Sequence, residues 1–176
     1  MYTVTRTLFK AFFDICLLRI GPQDLPKSTG LLTICLIAYT FINFVLAWYA
    51  APLLDAVLAS IIETALVALI TFGIVKLNRH PERWSQTLMA LSGTGFIIGL
   101  VALPLIYGGA VAQNDQLLQA VILFMYVLLI TWNVLVMAHI LRHAMDTAFG
   151  FGIVFALTYI FITSLFISIL LPELRG

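Results

Sequence analysis

PLLDAVLASIIETALVALITFGIVKLN, Pro52 to Asn78, is an apolar segment long enough to cross a bilayer, and it carries one acid, Glu63, near its middle. A crossing helix needs about 20 apolar residues at a rise of roughly 1.5 Å each, which puts Glu63 roughly 13 Å from the end near Leu54. An ionisable group at that depth costs a few kcal/mol, about 3 on insertion scales, so it is expected to face the interior of a bundle and a polar partner. Asp55, Ala59 and Glu63 recur at intervals of four and stack along one helical stripe, read as the seam facing the other spans.

Composition extends that reading to the whole chain. Of 176 residues, 62% are apolar and 10% charged, with a mean hydropathy of +1.11, whereas soluble domains carry about 25% charged residues. The expected fold class is therefore all-α, a polytopic membrane helix bundle whose first partner is the lipid bilayer. Five spans use about 100 positions and leave short loops without a separate soluble domain. A net charge of +1 and the lack of a Lys/Arg run exclude nucleic acid as a partner. Cys16 and Cys35 stand alone in apolar settings without CxxC spacing, so they are read as small buried hydrophobes. No cleavable signal peptide is expected, because Arg6, Lys10, Asp14 and Arg19 interrupt the N-terminal apolar residues; the first span serves as the insertion signal.

Residues 1–22 are expected to form an amphipathic interfacial helix. Leu8, Phe9, Phe12, Phe13, Cys16, Leu17 and Ile20 fall on one face, opposite Thr3, Arg6, Thr7, Lys10 and Asp14. Lys10 and Asp14 are spaced to pair. The same pattern also suits a helix packed on the bundle's own rim. Residues 23–176 form the five-span bundle. It begins with the polar elbow QDLPKSTG, in which Ser28 can cap the first span. The spans are read at about 31–49, 54–76, 84–103, 117–139 and 149–171, with breaks at Pro52, Pro104, Gly108-Gly109 and Pro172. Spans two and three are expected to form one antiparallel pair through the basic loop Lys76 to Arg83. A loop without Lys or Arg, Gln113 to Gln116, precedes span four.

Orientation follows from the basic residues. Arg6, Lys10, Arg19, Lys27, Lys76, Arg79, Arg83 and Arg142 fall on the side of the N-terminus, and Arg175 alone falls opposite. This bias predicts the N-terminus cytoplasmic and the C-terminus outside.

Counting depth at roughly 1.5 Å per residue, Asn43, Glu63 and Thr94 share one level and, with Asp55, make a candidate intramembrane polar cluster. Gln86, Thr87, Asn133 and His139, beside Trp132, make a second cluster in the inner half. Such groups usually lock helices together; a proton path through Glu63 is the functional counterpart. Gly95 and Gly99 are four apart, the spacing of a close helix contact. His139 and His143, with Asp146 three further on, could hold a metal, but histidines at a helix C-terminus are favoured by the dipole anyway, so no metal or other cofactor is expected. Ser92-Gly93 and His139 invite comparison with intramembrane serine proteases. The segment reads ALSG where that family has a glycine two residues before the serine, and no catalysis is expected.

The amphipathic start, the elbow GPQDLPKS, five short-looped spans and the polar opening RWSQTLMALSGTG of span three together resemble the bacterial branch of the Yip (Ypt-interacting protein) family. The resemblance implies the five-span fold and its topology. With the bacterial branch comes the expectation of a bacterial inner-membrane protein. The eukaryotic members are five-span adaptors that bind Rab GTPases and act in vesicle traffic, a role not expected of a chain without their long cytoplasmic N-terminal region. The expected function is that of a non-enzymatic interaction or scaffold protein, an accessory subunit that binds another membrane protein or itself. The alternative is a small transporter or proton-coupled permease using Glu63.

Overall fold

A computed structural model describes residues 2–111 and 115–170. Six helices make up the described chain, without a strand: α1 (Tyr2–Cys16), α2 (Thr29–Trp48), α3 (Leu53–Leu77), α4 (Trp84–Val111), α5 (Gln116–Met145) and α6 (Phe149–Leu170). The last five are each long and apolar enough to cross a membrane. Ser28 accepts the Leu31 N–H at 3.3 Å and caps α2, as the elbow sequence suggested. Asp115 accepts from Leu117 and Leu118 and caps α5. The expected loop Gln113 to Gln116 lies partly, and Pro172 and Arg175 lie wholly, outside the described residues.

Two spans are longer than expected. α4 runs through Pro104 to Val111 rather than stopping at residue 103. Proline removes one helical hydrogen bond, which neighbouring helices make tolerable in a span. α5 continues past His139 to Met145 and ends where Asp146 takes a left-handed backbone, φ 52°. Its polar tail is not a solvent-facing end, since Ala138, His139, Ile140, Leu141, Ala144 and Met145 are all buried.

α4 is the hub. More than half of its most apolar window is buried, 56%, against 6% for α5. It packs chiefly on α2 and α5, so the expected α3–α4 pair is joined by a tight turn but is not the main contact. Bare backbone at Gly95 and Gly99 seats α2: a Cβ there would come within 2.6 Å of the Tyr39 ring and 2.7 Å of Ile42. α6 sits against α5 in the same way, since a Cβ on Gly152 would run into the carbonyl oxygen of Ala138. Across α2 and α3, Thr40 and Thr64 hydroxyls meet at 2.8 Å. Trp84 joins α4 to α3 by donating to the Ala68 carbonyl at 3.2 Å.

α1 divides its apolar side between two surroundings. Phe12, Ile15 and Cys16 are buried on α4 and α5, with Phe12 over Gly93, while Phe9, Phe13 and Leu17 remain uncovered. The helix thus rests on the bundle's rim. Asp14 pairs with Arg19 at 3.7 Å instead of with Lys10. At the same end, Asp146 bridges the two hairpins: it lies 2.7 Å from Arg83 and 3.6 Å from His80.

Candidate functional site

The polar residues of the spans sort into an anchor and a cavity. The anchor holds the connection between α1 and α2, whose carbonyls have lost their helical partners. Trp132 of α5 donates its indole N–H to the Cys16 carbonyl at 2.8 Å. His139 lies with Nε2 3.0 Å from the Ile20 carbonyl, where the nitrogen must be the donor. Gln86 of α4 donates to two carbonyls, Leu25 at 2.5 Å and Gln23 at 3.2 Å. Burial pushes the Cys16 thiol up to about 12, so it stays protonated and unreactive.

This arrangement breaks up the expected inner cluster. Gln86 and His139 belong to the anchor, and Thr87 bonds the Arg83 carbonyl of its own turn at 2.8 Å. Asn133 is elsewhere, in the cavity. The His139–His143 pair does not form a metal site: the rings meet edge to face at 4.6 Å, Nε2 of His139 is engaged by Ile20, and Asp146 faces Arg83 and His80. Among the described residues no three His, Cys, Asp or Glu side chains converge on a metal position. Ser92 is no partner of His139, since its hydroxyl donates to the Leu88 carbonyl within α4 at 2.7 Å.

The cavity, about 460 Å³, is bounded by all five long helices. α2 contributes Tyr39 and Asn43, and α3 contributes Glu63. α4 presents Gly95, Ile98, Gly99 and Ala102. α5 adds Tyr126 and Asn133; α6 adds Tyr159, Thr163 and Ser164. Between them lie apolar groups including Leu46, Ile98, Leu129, Met137 and Ile167. Tyr39 donates its hydroxyl to Glu63 Oε1 at 3.2 Å. Asn43 and Tyr159 both interact with the Tyr39 side chain, and their polar ends are buried. Among the described residues no Lys, Arg or His lines the space, and Glu63 is the single acid on its wall.

Two members of the expected intramembrane cluster fall outside. Thr94 bonds the Ala90 carbonyl of its own helix at 2.7 Å. Asp55 sits in the first turn of α3, about 12 Å from Glu63 along the axis, and does not line the cavity. Three tyrosines take their place. Their signal was present in the sequence, since Tyr39, Tyr126 and Tyr159 lie within spans rather than at the headgroup level where tyrosine normally collects. Comparison of the chain with protein-family models, with curated proteins and with solved structures gives no match.

Proposed function

We propose that this is a non-enzymatic permease-type membrane protein in which Glu63 carries an exchangeable proton or cation within the bundle. One observation carries the reading: the five long helices leave open a partly polar space around Glu63, the single acid on its wall among the described residues. The space lies within the usual size of ligand pockets, roughly 300–1,000 Å³. We further propose that the chain sits in a bacterial inner membrane with its N-terminus inside, on the basic bias above. The likeness to the Yip family enters here as a proposal of shared topology.

Exchange at Glu63 requires a wet route, and Ser164, exposed on the cavity wall, is the place to test it. Both native cysteines are buried and give a quiet background. In intact cells, Ser164→Cys should react with a membrane-impermeant thiol reagent from outside, and Arg79→Cys, in the turn before α4, only after the membrane is opened. Reaction of Arg79→Cys in intact cells would reverse the orientation. A Ser164→Cys thiol that stays unreactive from both faces would remove the permease reading.

A scaffold or accessory-subunit role is favoured by a different observation. From Leu117 to Leu128, α5 exposes residues on every side, including Leu117, Leu123, Phe124 and Val127, so half of this helix has little protein against it. Another membrane protein or a second copy would cover that length. Native mass measurement after gentle solubilisation should then give more than the 19.5 kDa of one chain; a single chain alone would leave the bare helix to lipid.

A further inference from the structure

We infer that the cavity binds a lipophilic organic monocation, which lies between the tyrosines and sets its charge against Glu63. The inference rests on the permease reading and names the ligand class for the same site. Three features select that class. Among the described residues Glu63 is the only Asp, Glu, Lys, Arg or His on the wall, so an anion would meet a repelling carboxylate and no countercharge. Tyr39, Tyr126 and Tyr159 line the space from three different helices, and tyrosine is a side chain that attracts an organic cation whose charge is spread over a large apolar body. The remaining wall, with Leu46, Ile98, Leu129 and Met137 among it, has no further charge to solvate a strongly hydrated metal ion, whereas it matches an apolar skeleton.

The same carboxyl cannot hold a proton and a cation together, so the two compete. The polar groups that share the cavity wall with Glu63 are Tyr39 and Asn43 from α2, Tyr126 and Asn133 from α5, and Tyr159, Thr163 and Ser164 from α6; α4 offers only glycine backbone and apolar side chains. None of these is an Asp, Glu, Lys, Arg or His, and the competition is therefore one proton against one cation.

The test is equilibrium binding to the full chain in mild detergent, with tetraphenylphosphonium and with tetraphenylborate, two ions of matched size and shape but opposite charge. The wild type should bind the cation saturably at one per chain, at least tenfold more tightly than the anion, and more weakly as the pH falls. Glu63→Gln should lose tenfold or more of the cation affinity. Tyr126→Ala, at the partly exposed edge of the cavity, should lose several-fold and guards against a Glu63 variant that misfolds. Equal binding of both ions, or a cation affinity unchanged in Glu63→Gln, would overturn the cation class while leaving the cavity a binding site. Binding of neither ion by a protein whose Ser164→Cys variant is reactive would also overturn it and leave the permease reading in place. An unreactive Ser164→Cys removes that reading itself.

Discussion

Gln86→Leu combined with His139→Leu should release the segment around Arg19 while the five long helices persist. The two changes strip the partners from three carbonyls, the buried one of Leu25 and the part-buried ones of Ile20 and Gln23. A buried orphan costs about 1–3 kcal/mol and one that water can reach costs less, so the pair is worth about 3 kcal/mol against the docked elbow. Every 1.4 kcal/mol shifts the open population about tenfold, and cleavage of a transiently opened segment follows that population. Trypsin cleavage after Arg19, whose side chain is already 68% exposed, should accelerate by about a hundredfold or more. Trp132→Phe removes one donor, to Cys16, and should act in the same direction by a smaller factor. Unchanged protection in the double variant would mean that the burial of Phe12, Ile15 and Cys16 holds α1 without the anchor.

That anchor also marks the limit of what the sequence makes legible. Hydropathy and proline spacing disclose the five long helices, because backbone groups in lipid must be satisfied within the helix and leave few other options. The Ser28 cap is equally local. The purpose of the polar tail HILRHAM is not: His139 reaches a carbonyl 119 residues away, and Trp132 one 116 residues away. Its burial becomes visible only when α1 is laid on α4 and α5. Asn133 lies nearer the middle than a depth count suggests, for a related reason. Depth was counted on a span ending near residue 139, whereas α5 extends to Met145 and moves Asn133 toward the middle of the bundle. Thr94 shares a level with Glu63 yet satisfies itself through its own helix, an option open to threonine that a depth count does not detect. Gly152 gave no spacing signal at all; its role follows from the approach of α6 to the Ala138 carbonyl.

Glu63→Gln should abolish proton-coupled flux in reconstituted vesicles while leaving the fold close to wild type. Glutamine keeps nearly the same volume and can still accept from the Tyr39 hydroxyl, now 3.2 Å away, so the contact between α2 and α3 survives. What it loses is the ability to ionise, which a proton or cation site requires. Glu63→Leu separates the two effects further. It leaves the Tyr39 hydroxyl without its acceptor, at roughly 1–2 kcal/mol for one interhelical hydrogen bond and its unmet partner, and should lower thermal stability in detergent along with the flux. The measurement is a pH jump on vesicles holding each protein, beside a melt of the same preparations. Flux in the wild type that vanishes in Glu63→Gln at equal stability supports the permease reading. No flux in either protein removes it, and the cavity polar groups then belong to the packing of a scaffold. Flux that persists in Glu63→Gln would place the proton path elsewhere, since no other acid among the described residues lines the cavity.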